Sequence, residues 1–141
     1  MNEFISKSEN DTLDFAFNFA KSLNKNSIII LSGDLGSGKT KFTEGILKYF
    51  GLDNEISSPT FNIVNEYNCP NFSLFHFDLY RLADIDEFYA MGGEEYLQNG
   101  ACIIEWGEML ENILHNYTKI TFSRSFENDN YRKLIIEHFE N

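Results

Sequence analysis

The stretch Gly33-Asp-Leu-Gly-Ser-Gly-Lys-Thr40 follows the spacing G-x-x-x-x-G-K-[ST], the pattern of a P-loop that wraps the phosphates of a nucleotide. Each residue type has a task in that chemistry. Gly36 and Gly38 keep Cβ atoms out of the way of backbone N–H groups that turn toward the β-phosphate, with Ser37 between them. Lys39 reaches the β- and γ-phosphates, and the Thr40 hydroxyl is a ligand for Mg²⁺. A helix starting at the same point adds its positive end. The flanks agree with this reading. A β-branched run, Ser27-Ile-Ile-Ile-Leu-Ser32, leads into the loop, and a helical pattern leads out of it. A Gly-rich turn followed by a surface lysine would need neither flank.

A site of this kind needs an acidic residue at the end of a neighbouring core strand to hold Mg²⁺, directly or through water. Two carboxylates compete: Asp78, in Phe75-His-Phe-Asp78, and Glu105, which ends Ala101-Cys-Ile-Ile-Glu105. Both belong near the carboxyl ends of the strands, where ligands of open α/β sheets bind. One would touch the metal and the other orient the attacking water; the sequence leaves that assignment open. Ser57-Ser-Pro-Thr60 is either an ordinary loop or a phosphate-sensing switch whose Thr60 hydroxyl closes on Mg²⁺ or the γ-phosphate. The candidate catalytic set is therefore Lys39, Thr60, Asp78 and Glu105. His76 reads either as a proton carrier or as a strand histidine hydrogen-bonded within the fold. Trp106, the single Trp, packs near the nucleotide, fills core or meets a partner.

These residues require a frame. Ser8-Glu-Asn-Asp11 has capping-box spacing, with Asp where Glu or Gln is usual, and the periodicity predicts a helix from about Glu9 to Leu23. Ser27 to Ser32 is apolar on both faces, as in a central parallel strand. A second helix spans about Gly38 to Phe50, with Phe42, Ile46, Tyr49 and Phe50 on one side and Gly51 ending it. Strands are predicted at Phe61 to Tyr67 and Phe72 to Tyr80. In the latter, Phe75, Phe77 and Leu79 share one face and His76, Asp78 and Tyr80 the other. Short helices follow around Ile85–Met91 and Glu94–Leu97, then a buried strand at Ala101 to Glu105. Tyr117–Phe122 and Tyr131–Phe139 close the chain as an antiparallel hairpin. The fold class is α/β, a P-loop NTPase-like three-layer fold with a mixed central sheet and helices on both faces.

With 141 residues, the chain fits one domain, 1–141, because chains split mainly beyond ~250 residues. No apolar run approaches the ~20 residues of a membrane span, and the start lacks the pattern of a signal peptide. Cys69 and Cys102 form no CxxC pair and read as reduced core residues of a cytosolic protein. Eleven Lys+Arg against 22 Asp+Glu give a net charge of -11, which argues against gripping nucleic acid alone. If RNA is involved, another protein holds it. The acidic stretch Asp84–Glu95 reads as a solvated face.

Four segments together resemble one family: Gly33 to Thr40, Ser58-Pro-Thr-Phe61 continuing to Glu66-Tyr67, His76-Phe-Asp-Leu-Tyr-Arg81, and Ile104-Glu-Trp106. The chain is similar to TsaE (older name YjeE), the small bacterial ATPases needed for threonylcarbamoyladenosine in tRNA. The resemblance covers residues ~5 to ~110 and is silent on the C-terminal hairpin. It implies ATP and Mg²⁺ as cofactors, a cytoplasmic location, and association with the TsaB–TsaD pair, with tRNA reached only through those partners. By that resemblance Thr40, Asp78 and Glu105 are the Mg²⁺ and hydrolysis residues, and Gly36, Ser37, Gly38, Lys39, Thr40 and Lys41 contact the nucleotide. The segment around Glu9 to Thr12 lies where the family closes over the base. Two departures from the family pattern are Lys41, where a second Thr is common, and Gly107 after Glu-Trp.

Two other functions compete. A small-molecule P-loop kinase generally needs Arg or Lys in a lid over the transferring phosphoryl group. The three Arg, Arg81, Arg124 and Arg132, form no such segment. A non-hydrolysing docking subunit would use bound nucleotide merely to stabilise a complex. No NKxD motif is present, which weighs modestly against GTP.

Overall fold

The computed structural model describes residues 2–34, 38–55, 63–125 and 128–140. Its elements run β1 (Asn2–Ser6), α1 (Glu9–Phe19), β2 (Ile28–Ser32), α2 (Lys39–Tyr49), β3 (Val64–Asn68), β4 (Ser73–Asp78), α3 (Ile85–Ala90), α4 (Gly93–Asn99), β5 (Ala101–Glu105), β6 (Asn116–Arg124) and β7 (Arg132–Glu140). Short 3₁₀ turns lie at Ala20–Ser22, Asp53–Glu55 and Glu108–Leu110.

The strands form one sheet in the order β1-β7-β6-β2-β5-β4-β3. The four inner strands β6, β2, β5 and β4 are mutually parallel, while β7, β1 and β3 add antiparallel edges. The parallel centre explains the sequence there. Helices cover both faces, so β2 and β5 are apolar up to their last residues, Ser32 and Glu105, and every residue of β5 is buried. Alternate residues feed two cores. Ile29, Leu31, Ile103 and Ile120 pack with Phe42 and Ile46 under α1 and α2. Ile30, Cys102, Ile104 and Phe77 pack with Phe88 and Leu110 on the opposite face. The three-layer mixed sheet expected from the sequence is the architecture observed.

Local chemistry sets the helix starts. Ser8 caps α1 by accepting from the Asp11 N–H at 3.1 Å, but Asp11 returns its bond to the Lys7 N–H at 2.9 Å and not to Ser8. The reciprocal cap is thus shifted by one residue from the expected box. Gly38 precedes α2 with φ of 110°, a left-handed conformation that glycine takes without penalty.

Some expectations differ from the structure. Tyr49 is 38% exposed and packs edge-on to Phe17 and Phe50 instead of entering the core, because it sits in the last turn of α2. Cys102 is buried, but Cys69 is half-buried at the edge of β3; both are free thiols. The N-terminal strand β1 was not anticipated; it pairs with β7, more than 120 positions away in sequence, and Phe4 stacks on Phe15 at 4.5 Å. The acidic residues Asp84, Asp86, Glu87, Glu94 and Glu95 are exposed as expected. Among the described residues no helix is long and apolar enough to cross a membrane.

Candidate nucleotide-binding site

The end of β2 and the start of α2 frame the glycine-rich loop, so its chemistry gathers at the carboxyl ends of the parallel strands. Gly36, Ser37 and Thr60, with the rest of Ser57 to Phe61, lie outside the described residues. The other candidate residues can be located.

Lys39 opens α2 and is only 5% exposed. Its ammonium donates to the Gly33 carbonyl oxygen at 2.7 Å and lies 4.6 Å from the centre of the Trp106 ring. Thr40 is exposed beside it. Trp106 is the one non-glycine residue with positive φ among the described residues, at 59°. It follows β5 immediately after Glu105, and its ring lies against Tyr80 at 4.9 Å, tilted by 60°. Gly107 then lies tight against the sheet, where a Cβ would come within 2.8 Å of Ile104 Cγ2.

Asp78 and Glu105 are register partners on adjacent parallel strands, and the Glu105 carbonyl accepts from the Leu79 N–H at 3.0 Å. Asp78 is half-buried, and its Oδ1 accepts from the Tyr80 N–H at 3.0 Å, which fixes the turn after β4. Glu105 is buried, and its Oε2 lies 2.6 Å from His76 Nε2. Of the two readings of His76, the hydrogen bond within the fold is the one observed, and its partner is a candidate site carboxylate.

A cleft of about 490 Å³ runs from the start of α2 to the start of α1. Gly38, Lys39, Thr40, Lys41, Glu105 and Glu9 all line it, so most of the sequence-derived set converges there. Asp78 stands next to Glu105 in the sheet but is not part of the cleft wall. Lys41 faces Glu44 at 3.2 Å and Glu9 at 3.7 Å, and the Glu44 carboxylate, followed by Glu9, holds its ammonium above the usual lysine range. The hydroxyls of Ser6 and Thr12 meet at 2.7 Å in a buried contact, anchoring the chain on this side.

Asn130 and Arg132 also line the cleft, and sequence reasoning missed both. They arrive through the β6–β7 hairpin, which carries no motif. The one available signal was that Arg132 is among only three Arg in the chain.

The donors suit a hard cation. Thr40, Asp78 and Glu105 offer oxygen only, and no group of three or more His, Cys, Asp or Glu among the described residues could hold a metal. Oxygen ligands of this kind are those that Mg²⁺ takes, usually one or two carboxylates together with phosphate oxygens.

Residues 6–134 match the family model described as Threonylcarbamoyl adenosine biosynthesis protein TsaE. The chain is 44% identical over 108 residues to the tRNA threonylcarbamoyladenosine biosynthesis protein TsaE of Rickettsia typhi, covering 76% of this chain and 75% of that one. Its similarity to the protein of the same name from Treponema pallidum is 35% over 133 residues, covering 94% and 97%. The crystal structure of Bacillus YdiB superposes with a TM-score of 0.75 at 27% identity, covering 99% of this chain and 86% of that one.

Proposed function

We propose a function from one premise: this chain belongs to the TsaE family and takes part in tRNA threonylcarbamoyladenosine biosynthesis. Within that role we read it as a Mg²⁺-dependent ATPase of the cytoplasm whose turnover supports the TsaB–TsaD pair. The observation that carries this reading is the convergence of Lys39, Thr40 and Glu105 on one cleft at the carboxyl ends of the parallel inner strands.

Each residue then has a role set by its position. Lys39 leaves the Gly33 carbonyl and Trp106 to reach the β- and γ-phosphates. Thr40 supplies a hydroxyl to the metal. Asp78 and Glu105 divide the tasks of supporting the metal and orienting the attacking water. Glu9 and Lys41 also line the cleft, and the segment that begins at Glu9 closes over the base. When bound, Mg²⁺ neutralises charge that develops on the transferring phosphoryl group.

The charge pattern supports an indirect relation to tRNA. A net charge of -11 opposes contact with phosphate backbone, whereas an acidic face built from α3 and α4 suits the basic surface of a protein that holds tRNA.

The test is phosphate release from ATP, measured for the chain alone and then with TsaB, TsaD and tRNA. Slow release alone and faster release in the full mixture is the expected result. Sustained tRNA modification with no phosphate release in any mixture would favour the docking role. Transfer of phosphate to a small-molecule acceptor would favour a kinase.

A further inference from the structure

We infer that His76 is a positioning residue for Glu105, holding its carboxylate through an Nε2–H···Oε2 hydrogen bond. The inference rests on the proposed role of Glu105 in a Mg²⁺–nucleotide site and adds a residue to which that role had assigned nothing.

Three observations carry it. The contact is 2.6 Å long and buried, with His76 4% and Glu105 9% exposed. The strand register sets His76 opposite Ile103 and Asp78 opposite Glu105, so His76 reaches diagonally past its own partner to the carboxylate. And its other nitrogen, Nδ1, is buried with no hydrogen-bond partner among the described residues. An inner parallel strand favours aliphatic residues, and a buried polar ring costs free energy unless it is bonded. Among the described residues Glu105 is the one polar partner of this ring, so that carboxylate explains the ring's placement. A carboxylate can only accept, so the contact requires a proton on Nε2.

The consequence is mechanical. With Oε2 tied to the imidazole, the carboxylate plane cannot turn freely, and Glu105 is presented to the cleft beside Lys39 and Thr40 in one orientation. Partners that orient metal-site carboxylates and histidines typically change metal affinity or activity by ~10–100-fold when removed.

The experiment measures the affinity of a non-hydrolysable ATP analogue by calorimetry, in EDTA and in Mg²⁺, for the wild-type chain, His76→Leu and His76→Gln. We expect the leucine variant to keep its EDTA affinity and lose ~tenfold or more of the gain that Mg²⁺ confers. Glutamine, whose side-chain N–H reaches about as far as Nε2, should restore that gain. A full Mg²⁺ gain in His76→Leu overturns the inference while leaving the nucleotide site intact. Absence of binding by the wild-type chain in both buffers would instead sink the nucleotide reading. Should the leucine variant fail to fold, long-range ¹H–¹⁵N spectra of the wild-type chain decide: a proton on Nε2 supports the inference, and an Nε2 without a proton overturns it.

Discussion

The ammonium of Lys39 rests 4.6 Å from the centre of the Trp106 ring, so the cation expected to reach phosphate is held against an indole face. A cation over indole contributes roughly 0.5–2 kcal/mol, depending on how far it is desolvated. The left-handed backbone at Trp106, with φ of 59°, costs about 1–2 kcal/mol for a residue with a Cβ. The ring therefore stays in place through its contacts with Lys39 and Tyr80. If Lys39 reaches the phosphates as proposed, nucleotide binding draws the ammonium off the ring.

That exchange should be visible directly. The chain has a single Trp, and adding ATP with Mg²⁺ is expected to change its emission as the ammonium departs. The Lys39→Ala variant should show an altered spectrum before any nucleotide is added. Emission that stays constant through saturation would mean that the lysine does not move.

Lys39→Ala should also weaken ATP binding by about one to two orders of magnitude, the range for losing a hydrogen bond to a charged group. Calorimetry measures it, with a melting curve to show that the buried site tolerates alanine. Equal affinity would contradict the P-loop reading.

The contact between α1 and α2 makes a separate stability prediction. A Cβ on Gly45 would lie 2.5 Å from the Leu13 carbonyl oxygen and 2.7 Å from Ala16 Cβ. Alanine would gain up to about 1 kcal/mol of helix propensity, but forcing the helices apart costs roughly 1–3 kcal/mol. The clash involves backbone and a core methyl, neither of which can swing aside, so it prevails. We expect Gly45→Ala to melt ~3–8 °C lower, and a calorimetric scan showing a higher Tm would refute the close approach.

Sequence order made some of this molecule legible and hid the rest, for a physical reason. The glycine-rich loop, β2 and β5 announce themselves because their signals are local: fixed spacing, a β-branched run, a terminal carboxylate. His76 and Glu105 are 29 positions apart, and their contact depends on β4 lying beside β5, which no local pattern specifies. The same holds for β1 on β7 and for Asn130 and Arg132 at the cleft, all placed by pairing across long stretches of chain. The capping residue Ser8 was readable, but which N–H Asp11 would bond was not, because two adjacent donors lie within reach.

The two cysteines give a pH dependence with a definite sign. Burial pushes the Cys69 thiol from an ordinary 9.0 up to about 11 and Cys102 up to about 12. Above pH ~9 the unfolded chain loses these protons while the folded chain keeps them, so stability falls as pH rises from about 9 toward 12. The urea midpoint should accordingly be lower at pH 10.5 than at pH 8. At pH 8 iodoacetamide should modify the native chain at least ~tenfold more slowly than the urea-unfolded chain, since the thiolate is the nucleophile. Equal rates would mean that the thiols are not shielded.

Asp78→Asn separates charge from architecture at the end of β4. The Asp78 Oδ1 accepts the Tyr80 N–H at 3.0 Å, and its own N–H reaches the Ile63 carbonyl at 2.9 Å. Asparagine preserves a side-chain oxygen for the first bond and leaves the second untouched, so the turn and the register with Glu105 should survive. What is lost is one negative charge beside a second carboxylate. If Asp78 supports the metal or the attacking water, the variant should bind nucleotide within a few-fold of wild type yet hydrolyse it ~10²-fold more slowly in a single turnover. Asp78→Ala, which also removes the turn acceptor, should add a drop in Tm that the asparagine variant lacks. A wild-type single-turnover rate in Asp78→Asn would remove Asp78 from the chemistry and leave Glu105 as the carboxylate that serves the cleft.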